Sequence, residues 1–330
     1  LTAEAIGLET GIIKKGEDIL TGKQLNSYSD EELLPLLSKT RIFARTTPEH
    51  KHRIVRLFQK QGEVVAVTGD GVNDALALKQ ADVGVAMGIT GTDVAKETAH
   101  MIITDDNFAT LINAIEAGRN IFNHIKNAIK YLLACNMGEV IYIIVAIVLR
   151  LPIITPLQLL YINLVTDGLP AISLAFAPND KRIMLEKPNR IMSILGKRDY
   201  YYIFFVGLLT AILAFIATIP FMSSDSRILS VTVLFTVIII IQHFILLDIW
   251  VSHKPIMKNI SLIKNPIFLI AFFLPFILHA ILLYLPFFNK VFNTVPLTLP
   301  EIIFSVLISF MIVVVLELTK IRYIQKVKSL

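Results

Sequence analysis

The chain has 330 residues, 55% hydrophobic and 17% charged, with 31 Lys+Arg, 26 Asp+Glu and a formal net charge of +5. A soluble domain carries roughly 25% charged residues, so this composition excludes a single water-soluble globule, and its apolar content excludes intrinsic disorder. Residues 1–130 hold 15 Lys+Arg and 17 Asp+Glu, whereas residues 131–330 hold 16 and 9, so the basic excess belongs to the loops of an apolar region and does not indicate nucleic acid. The lone Cys135 excludes a disulfide framework and a cysteine-type zinc site. A chain that opens on Leu1, without a basic segment or cleavage site, is expected to lack a signal peptide and to be a piece of something longer.

Residues 1–130 alternate short β-type runs with helical ones, which predicts an α/β domain with a parallel sheet. A helix over Leu1–Glu9 stops at Gly11. Ser29 with Glu32 forms a capping box for a helix over Asp30–Leu37. Ile42–Ala44 reads as a strand, and Thr47-Pro48 opens the next helix. Glu63–Thr68 reads as a continuous buried strand, and Asp82–Met87 and His100–Thr104 as two more. From Asn107 a helical pattern runs without a breaker into the first apolar span.

The segment Thr68-Gly69-Asp70-Gly71-Val72-Asn73-Asp74 follows a buried strand, where α/β sheets place their sites. Asp70 and Asp74 are four apart at a helix start, so both carboxylates can face one point. With Gly69 and Gly71 for close backbone approach, they suit a magnesium ion holding a phosphoryl group. Asn73 can donate to a phosphate oxygen. No third glycine follows for a Rossmann fingerprint, and Gln24 after Gly22-Lys23 excludes a P-loop.

Six apolar runs reach the length that crosses ~30 Å of hydrocarbon: 131–149, 157–176, 200–222, 228–250, 265–287 and 300–319. Alternate loops and the tail carry Lys181, Arg182, Lys187, Arg190, Lys197, Arg198, Lys254, Lys258, Lys264, Lys320, Arg322, Lys326 and Lys328. The other loops carry Arg150, Arg227 and Lys290. This asymmetry predicts that both ends of the segment are cytoplasmic.

Intramembrane carboxylates mark functional sites by default. Glu139 lies about 12 Å and Asp167 about 15 Å into their spans, from opposite faces. Asn136 and Glu139 share one helix face; Asn163, Thr166 and Asp167 share another. Gly168 and Pro170 predict a loosened helix with freed carbonyls, as at ion sites. An all-oxygen cluster suits a hard cation; the competing reading is a hydrogen-bond network of protonated carboxyls. Gln242 either joins the cluster or forms an interhelical hydrogen bond. Asp248 and Trp250 read as interface residues.

Thr68–Ala75 resembles the hinge motif of P-type cation-pumping ATPases, and Phe43-Ala44-Arg45-Thr46-Thr47-Pro48-Glu49-His50-Lys51 resembles the segment preceding it. Asn136-Met137-Gly138-Glu139 and Asn163-Leu164-Val165-Thr166-Asp167-Gly168-Leu169-Pro170 are similar to the fifth and sixth membrane helices of the calcium-transporting branch. The resemblance implies the C-terminal part of an α/β haloacid-dehalogenase-like phosphorylation domain (1–125), followed by an all-α six-helix transmembrane bundle (126–330). It also implies a catalytic set of Lys51, Thr68, Asp70, Asn73 and Asp74. In that set Asp70 and Asp74 stand at Mg2+, Asn73 contacts phosphoryl or nucleotide, Lys51 neutralises phosphoryl charge and Arg45 touches ATP. Asn136, Glu139, Asn163, Thr166, Asp167 and Gln242 would hold Ca2+. Gln242 stands where two-calcium pumps place a glutamate, which puts a second calcium site in question.

The family's Asp-Lys-Thr-Gly motif, nucleotide-binding domain and first four spans are absent, so the chain is expected to be inactive by itself. The expected function of the parent is ATP-driven export of calcium from the cytoplasm across the cell membrane. The alternatives are a pump for sodium, magnesium or manganese, a non-catalytic cation-binding membrane fragment, and a membrane-tethered phosphatase.

Overall fold

The computed structural model describes residues 2–15, 19–186, 193–222, 227–251 and 265–328. Lys187, Arg190, Lys254, Lys258 and Lys264 of the loop comparison lie outside them. The fold divides into two compact units, one up to Glu116 and one from Ala117 onward.

In the first unit, local signals set most element ends. Helix α1 (Thr2–Glu9) stops before Gly11, whose φ of 72° only glycine adopts freely. Strand β1 (Ile19–Thr21) and helix α2 (Gly22–Ser27) are additions to the elements read from the sequence. Gln24, which excludes a P-loop, caps α2: the Thr21 amide donates to its Oε1 at 2.9 Å. Ser29 and Glu32 cap α3 (Asp30–Leu37) reciprocally, as their spacing predicts. After β2 (Ile42–Ala44), Thr47 caps α4 (Pro48–Lys60), and its amide donates to His50 Nδ1 at 3.1 Å.

Strand β3 (Ala66–Gly69) begins later than the expected Glu63, and it is not buried throughout. Val64 is exposed, and the Val65 amide donates to Asp82 Oδ2 at 2.9 Å instead of to a strand. That amide, with Gln59, holds the Asp82 carboxyl below the usual carboxylate range. Helix α5 (Ala75–Gln80), β4 (Val83–Met87), α6 (Asp93–Thr98) and β5 (Met101–Ile103) follow. All pairing is parallel, yet among the described residues the strands form two sheets. One pairs β1 with β2; the other has the order β3-β4-β5, with Ala66 opposite Val83 and Val85 opposite Met101. Leu20, Leu25, Leu33, Leu37 and Leu57 form one small core, and Leu78, Ala86 and Ala95 another.

Among the described residues six helices are long and apolar enough to cross a membrane, as the apolar runs imply. Helix α7 (Phe108–Leu149) is continuous over 42 residues. The second span, Pro156–Phe176, combines α8 (Pro156–Tyr161), a π-helical segment (Ile162–Asp167) and α9 (Gly168–Ser173). Next come α10 (Lys197–Thr218), α11 (Arg227–Trp250), α12 (Pro266–Tyr284), the short α13 (Pro286–Phe292) and α14 (Leu299–Lys328). Helix α11 is apolar on all sides and buried over most of its length, so it forms the centre of the bundle. It packs on α10 and α14. Helices α7 and α10 approach closely: a Cβ on Gly138 would lie 2.8 Å from Thr210 Cβ, and one on Gly207 2.6 Å from Met137 Cγ. Small residues permit such crossings where lipid supplies no hydrophobic drive. This one lies beside Glu139.

Candidate cation and phosphoryl sites

Tyr131, Cys135 and Glu139 recur every fourth residue on the buried stripe of α7. Gln242 on α11 faces that stripe. Its Nε2 donates to Glu139 Oε1 at 2.9 Å, and its Oε1 accepts from Thr166 Oγ1 at 3.0 Å. The two readings of Gln242 are therefore one: it is an interhelical hydrogen bond within the cluster. The Tyr131 hydroxyl lies 3.2 Å from the Thr166 carbonyl and 3.3 Å from Asp167 Oδ1. Glu139, Thr166, Asp167 and Gln242 are all buried. Asp167 Oδ2 is buried too, with no hydrogen-bond partner among the described residues. An anionic oxygen without a partner in a water-free setting costs several kcal/mol, so this atom calls for a proton or a cation. Among the described residues no three His, Cys, Asp or Glu side chains are arranged so that they alone could hold a metal ion. The centre is two carboxylates complemented by neutral oxygens.

The π-helical segment decides which side chains take part. A π turn closes with i→i+5 bonds and holds more residues than an α turn. Asn163 consequently turns away from Thr166 and Asp167 and is exposed, which corrects the expected common face of the three. Pro170 has no N–H for the Thr166 carbonyl four residues back, and Tyr131 approaches that oxygen instead. The loosening expected at Gly168 thus falls one turn earlier. Asn136 is half-buried, and its Nδ2 donates to the Leu132 carbonyl of its own helix at 2.8 Å.

Sequence reasoning missed Tyr131, although its four-residue spacing from Cys135 and Glu139 was visible. Asp248 and Trp250, at the end of α11, are buried against neighbouring helices. Asp248 accepts from the Tyr202 hydroxyl at 2.7 Å and pairs with Lys320 at 2.6 Å. Lys320 lies 72 positions away, and no local pattern announces such a pair.

In the first unit Asp74 folds back over the end of β3. A Cβ on Gly69 would lie 2.4 Å from Asp74 Cβ, so only glycine leaves room. Buried there, Asp74 Oδ1 lies 2.5 Å from Lys51 Nζ, and the Gly71 amide donates to Oδ2 at 3.5 Å. Thr47 and Pro48 start α4 so that Lys51 falls at its first turn. Thr68 is half-buried within β3, whereas Asp70 and Asn73 are exposed. The carboxylates expected to face one point differ in setting: Asp74 is inside with a lysine, and Asp70 is outside. Arg45 is exposed, with φ 53°, just after β2 of the other sheet.

The Asp70 carbonyl accepts from the Thr92 amide at 2.8 Å, tying it to the loop after β4. Asp106 clamps that loop by accepting from the Ile89 and Thr90 amides at 2.9 and 2.7 Å. These amides hold its carboxyl down at about 2, below the usual carboxylate range. The carboxylates at this loop are hard oxygen donors, which fits a hard divalent cation such as Mg2+.

Residues 151–322 match the family model for the C-terminus of cation transporting ATPases. Over 231 residues the chain is 46% identical to "Calcium-transporting ATPase 1" of Bacillus cereus, covering 68% of this chain and 26% of that protein. It is 50% identical over 189 residues to "Calcium-transporting ATPase" of Bacillus subtilis, covering 57% and 21%. "Calcium-transporting ATPase 2, endoplasmic reticulum-type" of Arabidopsis thaliana is 47% identical over 196 residues, covering 57% and 19%. The chain therefore spans about a fifth to a quarter of the length of these relatives. With six membrane-capable helices and a family match over more than half of its residues, the chain is multi-pass and belongs to the cation-transporting ATPase family, of which it carries the C-terminal region.

Proposed function

We propose that this chain is the C-terminal part of an ATP-driven P-type pump that exports calcium from the cytoplasm, with both ends of the segment cytoplasmic in the cell membrane. The observation that carries the reading is the buried oxygen cluster of Glu139, Thr166, Asp167 and Gln242, with Asp167 Oδ2 unpartnered. Asn136 and Asn163 belong to the proposed ligand set from the resemblance, and a coordinated cation would require both to reorient from their present contacts. The names of the similar proteins favour calcium over sodium, magnesium or manganese.

Residues 1–125 are proposed to be the C-terminal part of a haloacid-dehalogenase-like phosphorylation domain. Their parallel strands and the loop at the end of β3 support that assignment. There Asp70, with Asp74 beside it, would hold Mg2+, which screens phosphoryl charge when bound. Lys51 places its ammonium against Asp74 and offers positive charge to a phosphoryl group arriving at the loop. Asn73, on the open side, donates to phosphoryl or nucleotide, Arg45 meets the nucleotide, and Thr68 sets the strand end. Helix α7 links this chemistry to Glu139 without a break in its hydrogen-bonded backbone. The Asp-Lys-Thr-Gly motif does not occur in the 330 residues, so the chain by itself does not turn over.

ATP-driven uptake of radiolabelled calcium into inside-out vesicles bearing the intact parent protein tests this reading. Uptake abolished by both Glu139→Gln and Asp167→Asn supports it. Hydrolysis stimulated by sodium or manganese without calcium uptake would keep the architecture and sink the ion assignment.

A further inference from the structure

The bundle carries a cavity that neither site uses. About 330 Å3 in volume, it opens between the first turn of α11 and the loop leading into α14. Small-molecule sites occupy about 300–1,000 Å3. Ile228, Val295 and Pro296 give it an apolar floor, and Arg227 and Glu301 give it one charge of each sign. Among the described residues neither charge has an ion-pair partner, and although they line one cavity they do not pair with each other. The walls are built: the Thr298 amide donates to Glu301 Oε2 at 2.6 Å, and the Val295 amide donates to Thr232 Oγ1 of α11 at 3.2 Å.

Spans alternate in direction, so the starts of α11 and α14 share one membrane face. The loops of that face hold only Arg150, Arg227 and Lys290 as basic residues. A guanidinium there without an ion-pair partner among the described residues is conspicuous, because arginine matches phosphate geometry with a fork of donors. Below the cavity, Ile303, Leu307 and Phe310 leave an exposed apolar stripe along α14.

We propose that this cavity binds the zwitterionic headgroup of a phosphatidylethanolamine. Arg227 donates to the phosphate, Glu301 accepts from the primary ammonium, and an acyl chain follows the apolar stripe of α14. Separated opposite charges fit a zwitterion better than a simple anion, which Glu301 would repel. A primary ammonium donates hydrogen bonds that a choline cannot, so phosphatidylethanolamine is preferred over phosphatidylcholine. The site belongs to the bundle alone and stands whichever cation the family member carries.

Native mass spectrometry of the detergent-purified chain, offered phosphatidylethanolamine, phosphatidylcholine, phosphatidylglycerol or free phosphoethanolamine, tests the assignment. The wild type is expected to retain phosphatidylethanolamine best. Arg227→Gln lowers that retention about tenfold, the scale of one lost charge-assisted hydrogen bond, and Arg227→Lys, which keeps the charge but not the fork, retains part of it. Glu301→Gln removes the preference over phosphatidylcholine, a ratio read within the folded protein and so independent of its yield. Retention unchanged in Arg227→Gln would overturn the proposal. So would equal or tighter binding of phosphatidylglycerol, or of free phosphoethanolamine, which would make the ligand an anionic lipid or a soluble phosphoester.

Discussion

Gln242 on α11 donates to Glu139 on α7 at 2.9 Å while it accepts from Thr166 at 3.0 Å. One amide thereby joins three membrane segments, and it supplies a buried carboxylate with its donor. Gln242→Ala leaves Glu139 without its donor at that depth, whereas Thr166 Oγ1 keeps its bond to the Ile162 carbonyl. In the intact parent this change is expected to raise the calcium concentration for half-maximal ATPase activity about tenfold. Calcium-activation curves in vesicles measure it, and an unshifted curve would remove Gln242 from the site.

Tyr131 bears on the same centre from its other side. Tyr131→Phe keeps the ring and deletes the hydroxyl beside the Thr166 carbonyl and Asp167 Oδ1. A loss of about 1–2 kcal/mol is expected, because both acceptors are buried and left without it. Thermal unfolding in detergent checks the size of the effect.

Two glycines of α7 are expected to respond in opposite directions. Gly138→Ala places a methyl 2.8 Å from Thr210 Cβ and is expected to cost about 1–3 kcal/mol by overpacking the α7–α10 crossing. A Cβ at Gly118 meets nothing within 4 Å, so Gly118→Ala is expected to stabilise the helix by about 1 kcal/mol. Melting temperatures that move the same way in both variants would contradict this packing.

Lys51→Ala removes the partner of a buried carboxylate and, on the proposed function, the positive charge at the phosphoryl group. Turnover of the intact parent is expected to fall about a hundredfold, with Lys51→Arg retaining part of it. A steady-state phosphate-release assay decides, and near-normal turnover in Lys51→Ala would confine the pair to a structural role.

Asp106 gives a pH dependence with a definite sign. Its carboxyl is held down at about 2, so its contribution is complete above the ordinary value of 3.8 and is lost as pH falls toward about 2. Asn tolerates the left-handed φ of 50° at this position. Asp106→Asn should therefore reduce stability at neutral pH and flatten its decline between these two values. Unfolding of the full chain followed across that acid range measures both.

Much of this protein is local in origin. The capping pair Ser29–Glu32, the Thr47-Pro48 helix start and the uninterrupted apolar runs are properties of neighbouring residues, and the corresponding helices form where those signals stand. The mid-span carboxylates were equally legible, because Glu139 and Asp167 interrupt nearly pure hydrocarbon. Tertiary structure alone decided their company. Whether Asn163 joins Asp167 depends on a π turn, and whether Gln242 is a ligand neighbour or a packing bond depends on how α11 meets α7 and Thr166. The partners of Asp248, Tyr202 and Lys320, lie 46 and 72 positions away, so no neighbouring residue announces them. Sequence determines spans and their polar interruptions through composition and short-range periodicity. The pairing of those interruptions is settled only when helices distant in the chain bury them against one another, where each unpaired polar atom is costly.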